Sequence, residues 1–289
     1  MKNPVGRRGI VILLLASCSL PVMGQDASSW EVHLQQSISD KNSATKPAAF
    51  QLTFPGKGEN SYAVDLGLTA LRPSDFGRAQ WDWGVAAEYH HNTLLDRKQD
   101  TREIGFTALG EYGDPATIAW LPQVIAKYKY DGVKSTGSLV PSASMTLTNF
   151  ASAIGFAKGG PGFKFFWQPT LGVELEDGVK APSAKPTGQV SRAFGHLEAA
   201  LYPAAELLKN RLEIVPGVTL WQDFAKSKQL GIARDRHVLR TISVNYYLGS
   251  DQMFSLGLDY VNGEDPSQGL PEQRYTRIAF KVAYPPPNG

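Results

Sequence analysis

The sequence predicts an all-β protein, folded as an antiparallel up-and-down barrel of about 12 strands. Apolar and polar residues alternate with a period of two in successive segments of about ten residues, which is typical of half-buried strands. Stretches rich in Gly, Pro, Asp, Asn and Ser, such as 55–58 and 265–267, separate these segments and favour turns. Amphipathic helical periodicity is scarce after residue 24, and its best example is the short segment 204–208.

The alternation is clearest in nine segments. Within 81–90, for example, Trp83 and Val85 share an apolar face. One exception occurs in 123–131, where the apolar residue Ile125 lies on the polar face. In chain order the nine segments are 62–70, 81–90, 103–108, 123–131, 163–176, 212–220, 241–248, 254–260 and 275–284. Weaker strands near 50–54, 139–149 and 193–201 complete the series.

The composition excludes several classes of protein. The 289 residues include 29 basic and 27 acidic side chains, so there is no polycationic surface for nucleic acid. A single cysteine builds neither a disulfide framework nor a multi-cysteine metal site. A hydrophobic content of 42% is too high for a disordered chain and too low for a helical membrane protein.

The N-terminus has the layout of a secretory signal peptide over residues 1–24. Lys2 and Arg7 belong to a positively charged region, an apolar run follows over 10–20, and Gly24 provides a small residue for cleavage. A membrane anchor is the alternative, but about 18 apolar residues are needed to span a bilayer and this run is shorter. We therefore expect export through a cleaved signal peptide.

A second processing route competes with simple cleavage. Leu15-Ala16-Ser17-Cys18 resembles a bacterial lipobox, in which Cys18 would be lipidated and become the new N-terminus. Cleavage after Gly24 would instead remove three basic residues, no acid and the only cysteine. The mature chain would then carry 26 basic and 27 acidic residues, for a net charge of −1.

The apolar faces of these strands must be buried in a protein interior or lie in contact with lipid. A soluble sandwich or small barrel would turn them inward, whereas a transmembrane barrel turns them outward and lines its lumen with polar residues. Segment length favours the membrane, because a tilted strand crosses the hydrocarbon in about 9–11 residues. Aromatic residues near segment ends suit the interfacial level: Tyr62, Trp81, Tyr89, Tyr112, Trp120, Tyr130, Tyr202, Trp221, Tyr260 and Tyr284.

Loop lengths divide the chain further. Counted backward from residue 284, long connections at 262–272, 225–236 and 177–190 alternate with shorter ones at 249–252 and 203–210, although 150–162 breaks the alternation. We assign 25–48 to a periplasmic N-terminal lead, 49–284 to the β-barrel and 285–289 to a C-terminal tail. Alternation at Trp30, Val32 and Leu34 indicates that the lead adds a strand or a plug.

Together these features resemble bacterial outer-membrane β-barrel proteins of the porin and transporter kind. In the final strand, Ile278, Phe280, Val282 and Tyr284 share a face, which is similar to the aromatic-ending signal read by barrel-insertion machinery. The tail 285–289 departs from the pattern, because the family usually ends on the aromatic residue. The resemblance implies an outer-membrane location, with outer-membrane lipid and the insertion machinery as partners and no cofactor. It is architectural and indicates no substrate.

No catalytic motif supports an enzyme. The sequence lacks a Gly-x-Ser-x-Gly elbow and a His-x-Ser pair of the outer-membrane phospholipase kind. The pairs His196 with Glu198 and His237 with Ser243 share a strand face, as a period of two produces by chance. His90 and its neighbour at 91 point to opposite faces, which disfavours a metal site. A lipid hydrolase is kept as the least favoured alternative.

The polar faces indicate a channel for small solutes of unknown identity, because charged side chains lining a lumen select solutes by sign. The alternative is a non-transporting structural or envelope-assembly barrel, filled by its own salt bridges. Acids and bases are mixed, so the sequence leaves the charge preference open. The lumen-lining candidates are Glu88, Glu103, Glu111, Lys127, Lys129, Lys164, Glu174, Glu198, Glu213, Asp259, Arg277 and Lys281.

Overall fold

The computed structural model describes most of the chain after residue 29. The described ranges are 30–38, 47–53, 61–76, 79–93, 98–114, 118–148, 162–180, 188–227, 235–250 and 252–284. The predicted signal peptide 1–24, Cys18 within it and the tail 285–289 lie outside these residues. Within the described ranges, no helix is long and apolar enough to cross a membrane.

Thirteen strands make up the fold of the described residues. They are β1 Glu31–Gln35, β2 Ala48–Thr53, β3 Ser61–Phe76, β4 Ala79–Asn92, β5 Gln99–Asp114, β6 Ile118–Asp131, β7 Thr136–Thr148, β8 Lys164–Lys180, β9 Gln189–Tyr202, β10 Leu212–Lys226, β11 Arg236–Tyr247, β12 Phe254–Asp265 and β13 Leu270–Val282. From β2 onward each strand pairs antiparallel with the next, and β13 pairs back onto β2. The prediction of an antiparallel up-and-down barrel is confirmed.

The first position in the wall is shared by two short strands. β2 pairs with the first part of β3, up to Asp65, and β1 pairs with the following part, from Gly67 to Leu71. The barrel therefore has 12 wall positions built from thirteen strands. β2 is too short to cover β3, and β1 satisfies the backbone groups that would otherwise form an open edge.

β1 lies within the stretch that the sequence analysis assigned to the N-terminal lead. It joins the wall through β3, and Leu34 and Tyr284 also pair, each donating a backbone hydrogen bond to the other. The chain leaves the wall after Gln35 and re-enters it at Ala48. The alternation in this stretch thus belongs to a wall strand, and the residues that follow it turn into the lumen.

The two faces of the wall have opposite chemistry. Large apolar side chains stand on the outside, with exposures of 71% for Leu171, 66% for Ile278 and 64% for Ile104. Charged and amide side chains fill the inside, where Glu213 is 0% and Asn245 1% exposed. A soluble protein does not present an apolar surface of this extent. This inverted distribution is the architecture of outer-membrane β-barrels, as the sequence resemblance implied.

Two aromatic residues expected among the outer aromatics lie inside instead. Trp221 is 6% exposed and faces the lumen, and the Tyr202 hydroxyl donates a hydrogen bond to Glu213. The strict period of two decides this, because Leu220 faces out and its neighbour must then face in. Tyr62, Tyr112 and Trp120 are exposed on the outside, as expected.

The barrel has two rims, which we name by the chain termini. The terminal rim lies near residues 30 and 284, where β3, β5, β7, β9, β11 and β13 end. At the far rim, β2, β4, β6, β8, β10 and β12 end. The segment 262–272, expected to be a long loop, is mostly the end of a hairpin whose strands pair as far as Asp265 and Leu270. The polar residues of this segment predicted a loop, although the two strands continue through most of it.

Replacement of an outward side chain by arginine tests the membrane-facing wall. Leu171 lies near the middle of β8, so Leu171→Arg should destabilise the barrel in a bilayer by about 2–4 kcal/mol. The measurement is urea unfolding in lipid vesicles, followed by tryptophan fluorescence. Val133→Arg is the matched control, because Val133 is 51% exposed in a far-rim turn. Equal stability of the two variants would contradict an outer face in hydrocarbon.

Candidate functional site

The structure places most of the predicted lumen-lining residues on the inner face. Glu88, Glu103, Lys129, Glu198, Glu213, Asp259 and Lys281 are buried there, and Lys127, Glu174 and Arg277 are inward and partly exposed. Glu111 is half-buried close to the terminal rim. Lys164 pairs through its backbone with Tyr202, and its side chain lies outside the described part of the structure.

A network of ion pairs joins strands β3 to β6. Lys127 on β6 binds Glu103 on β5 and lies 3.6 Å from Glu88 on β4. His90 on β4 contacts Glu88 at 3.2 Å through Nε2 and Asp65 on β3 at 3.1 Å through Nδ1. Each buried charge in this group has a partner of opposite or polar character, which burial requires.

The same network continues past the first wall position to β13 and β12. Arg277 lies 3.7 Å from Asp65 and donates to Asp259 at 3.2 Å. Lys281 donates to Asp259 at 2.6 Å and to Asn245 on β11 at 2.9 Å. The Arg277 side chain therefore bridges the position where the barrel closes, from β13 to β3.

The network ends on a fully buried carboxylate. Glu213 on β10 accepts hydrogen bonds from Asn245 at 2.9 Å, from the Tyr247 hydroxyl at 2.8 Å and from the Tyr202 hydroxyl at 2.5 Å. Three neutral donors thus solvate this carboxylate in place of water. Lys281, bonded to Asn245, connects the cluster to the ion pairs.

A second network lies closer to the far rim. Arg192 on β9 donates to Glu174 at 2.9 Å and to Glu176 at 3.4 Å, and lies 3.5 Å from Asp223 on β10. Lys129 reaches Glu176 at 2.9 Å. His237 on β11 extends the network, with Nε2 at 3.6 Å from Asp223 and Nδ1 at 2.5 Å from Glu264.

Several charges of these networks were not among the predicted lumen residues. Asp65 stood on a polar strand face and His90 ended one, so the alternation alone marked both. Arg192 and Asp223 were missed because the predicted strands 193–201 and 212–220 were too short. The observed strands begin at Gln189 and end at Lys226. Charged residues near strand ends resemble loop residues in a sequence, although here they face inward.

The residues after β1 turn into the lumen and are fixed on Glu88. The Ser37 hydroxyl donates to Glu88 Oε1 at 2.7 Å, and the Ile38 amide donates to the same oxygen. Gln123 on β6 donates to the Ile38 carbonyl at 2.9 Å. We call residues 36–38 the inward segment. Its contacts with β4 and β6 carry the chain away from the wall position of β1.

Ile125 contacts the inward segment and explains an anomaly in the sequence. This apolar residue interrupts the polar face of β6, and it is 3% exposed inside the barrel. It forms a small apolar cluster with Ile38 and Ala86. An apolar side chain at a lumen position therefore marks a place where another part of the chain covers the wall.

The tip of the β12–β13 hairpin folds across the far mouth. Lys129 on β6 donates to the Ser267 carbonyl at 2.8 Å, and Lys134, in the β6–β7 turn, donates to the Gly269 carbonyl at 3.2 Å. Gln99 at the start of β5 donates to Gln268 at 3.2 Å. These contacts join residues more than 130 positions apart in sequence and narrow the entrance.

Between the inward segment and the hairpin tip lies an interior cavity of about 300 Å³. Its wall includes Gln36 and Ser37 from the inward segment and Ser267 and Gln268 from the tip. The remaining lining is mainly charged, hydroxyl and amide side chains from β4 to β13. The lumen is therefore polar and narrow.

The histidine pairs noted in the sequence do not form serine–histidine dyads. His196 Nδ1 bonds to the Thr219 hydroxyl at 2.8 Å, and its Nε2 lies 3.7 Å from Glu198. Both ring nitrogens of His237 face carboxylates, not Ser243. These arrangements hold side chains in the wall and provide no activated serine.

Comparison with known proteins provides neither a family nor a function. No family model matches the sequence, and no curated protein matches it. A solved structure of the NanC porin is similar, with a TM-score of 0.46 and 6% identity over 82% of this chain and 98% of that one. The beta domain of the Bordetella autotransporter BrkA is similar with a TM-score of 0.41 and 10% identity, over 89% and 99% respectively. At these identities neither comparison bears on function.

Removal of Glu88 should free the inward segment. Glu88→Ala deletes the oxygen that accepts from Ser37 and Ile38, and two lost hydrogen bonds favour local opening by about tenfold or more. The reporter is Gln36→Cys in a chain that also carries Cys18→Ser. The rate of its reaction with a membrane-impermeant maleimide should rise by that factor.

Glu103→Ala is the matched control for this experiment. It also deletes a carboxylate bound to Lys127, but Glu103 is not one of the groups that hold the inward segment. Its labelling rate should stay close to that of the parent chain. Equal acceleration in both variants would mean that the charge balance, and not the anchor, controls access to position 36.

Loss of one donor to Glu213 should weaken the barrel measurably. Tyr247→Phe removes the 2.8 Å hydrogen bond to a buried carboxylate, which costs about 2 kcal/mol. Urea unfolding in vesicles measures the change. Tyr246→Phe is the control, since its ring stands outside with 47% exposure, and it should change stability by less than about 0.5 kcal/mol. A similar loss in both would rule out the inner hydrogen bond as the cause.

Proposed function

We propose that the protein is an outer-membrane β-barrel that allows passive passage of small polar solutes through its lumen. The observation that carries the proposal is the polar cavity inside a wall whose outer face is apolar. Water and polar solutes are stable in such a lumen, whereas they are excluded from the surrounding hydrocarbon. The barrel therefore provides a polar route across a bilayer.

The dimensions of the cavity restrict the route to small solutes. A volume of about 300 Å³ is at the small end of the range for small-molecule pockets, which is about 300–1,000 Å³. Barrels of about eight strands are filled by their own side chains, and those with about 16 leave an open channel. With 12 wall positions, the lumen has intermediate width, narrowed further by the inward segment and the hairpin tip.

The location and processing belong to the same proposal. The apolar exterior supports residence in outer-membrane lipid, and residues 1–24 have the sequence of a cleaved export signal. Insertion then depends on the barrel-insertion machinery. The shortest gaps between consecutive strands, from Phe76 to Ala79 and from Asp114 to Ile118, separate strand ends at the terminal rim, which supports a periplasmic position for that rim.

A second function is supported by the paired charges. The two networks and the inward segment join nearly all strands from the inside, and such bonding suits a structural or envelope-assembly barrel without transport. This candidate predicts a lumen closed to ions. A lipid hydrolase has no comparable support, because His196 and His237 engage a threonine and carboxylates.

Planar-bilayer recording distinguishes passage from closure. We expect small, discrete current steps after insertion of the purified protein in its folded form. Glu88→Ala should increase the step size, because it releases the inward segment from the lumen wall. Folding is checked by the difference in gel migration between boiled and unboiled samples. A folded barrel with no steps over a range of voltages and salts would contradict the channel and support the structural alternative.

A further inference from the structure

We propose that the lumen favours small cations over anions and that Glu198 on β9 is its principal selectivity residue. The inference rests on the proposed channel function and specifies its solute class. It is carried by the sign, position and partners of the charges that line the cavity.

The charges lining the cavity are predominantly negative. Six carboxylates face three Lys or Arg side chains and one histidine among the described lining residues, so the excess is negative even when the histidine is protonated. The carboxylates belong to Glu88, Glu103, Glu174, Glu198, Asp259 and Asp265, and the basic groups to Lys127, Arg277, Lys281 and His196. A narrow lumen with low-dielectric walls strengthens the effect of such an excess on ions.

The Lys and Arg side chains of the lining are confined to one side of the cavity and are already engaged. Lys127 on β6 lies between Glu88 and Glu103. Arg277 and Lys281 on β13 both bind Asp259. A cation held between carboxylates presents little positive potential to a passing anion. The attraction for anions on this side is therefore weak.

The opposite side, from β7 to β11, contributes no Lys or Arg to the described lining of the cavity. It contributes two carboxylates, Glu174 and Glu198, together with a set of hydroxyl groups. These hydroxyls are Ser142, Ser144, Thr146, Thr170, Thr219, Thr241 and Ser243. Hydroxyl and carboxylate oxygens are the groups that replace the hydration shell of a hard cation. This side of the wall therefore forms a surface suited to cations.

The two carboxylates on this side differ in their partners. Glu174 is bound by the guanidinium of Arg192 at 2.9 Å, which neutralises much of its charge. Glu198 lies 3.7 Å from His196, which is charged only when protonated, and the lining on this side holds no Lys or Arg. Of the two carboxylates, Glu198 is therefore the one that we expect to act on passing ions.

The residue opposite Glu198 leaves space beside its carboxylate. Glu198 pairs across the strands with Gly217 on β10. A Cβ at position 217 would stand 2.7 Å from the Thr241 hydroxyl and 3.8 Å from Glu198 Oε2, so a side chain there would crowd this part of the wall. With glycine, the carboxylate and the hydroxyls of Thr219 and Thr241 border the same opening.

The wider interior has the same sign. Among buried side chains of the described residues there are eight carboxylates, against three Lys or Arg and two histidines. The carboxylates are Asp65, Glu88, Glu103, Glu198, Glu213, Asp223, Asp259 and Asp265, and the others are Lys129, Arg192, Lys281, His90 and His237. The excess at the cavity is thus not offset by charges behind its lining.

The test is the ratio of K⁺ to Cl⁻ permeability, obtained from the reversal potential of single channels under a KCl gradient. We expect a ratio above 1 for the parent chain. Glu198→Gln keeps the shape and removes one charge, which at lumen distances changes the ratio by about threefold or more. Glu111→Gln is the matched control, because Glu111 lies near the terminal rim and outside the cavity lining; its ratio should stay close to the parent value.

Each outcome decides one part of the inference. A parent ratio below 1 overturns the cation preference but leaves the channel intact. A ratio above 1 that Glu198→Gln does not lower overturns the role of Glu198 alone. A folded barrel without current overturns the channel function, and the cation preference with it. A difference in gel migration between boiled and unboiled samples confirms that each variant is folded before its currents are compared.

Discussion

Every part of this structure depends on the pairing of backbone hydrogen-bonding groups around a closed wall. An apolar outer face leaves no water to satisfy an open strand edge, so closure is required. β2 has only six residues and β3 has sixteen, and β1 pairs with the next part of β3, from Gly67 to Leu71. Tyr284 then pairs with Leu34, which ties the end of the chain to its first strand. A fragment that looked like a lead thus completes the barrel.

Closure with apolar side chains outside places the polar half of every strand inside. Charges in that position need partners, and the two networks provide them on β3 to β6 and on β8 to β13. The pairing is not uniform around the barrel. Lys127, Arg277 and Lys281 are engaged on one side, while the opposite side combines acids with hydroxyl groups. Stability and the electrostatic character of the lumen therefore arise from the same side chains.

The inward segment and the hairpin tip show how a barrel of this width is narrowed. The first uses the Glu88 carboxylate and an apolar contact with Ile125, and the second uses backbone carbonyls held by Lys129 and Lys134. Both join parts of the chain that are far apart in sequence. Each narrows the lumen while the wall strands stay paired.

The sequence by itself determined the all-β class, the count of about 12 strands and which residues of a strand share a face, because a period of two is a local property of the backbone. It also marked Ile125 as an exception, without a reason. Only the tertiary structure decided which charges meet and that 262–272 is a hairpin end. Those outcomes depend on register and closure between distant strands, which local alternation does not encode.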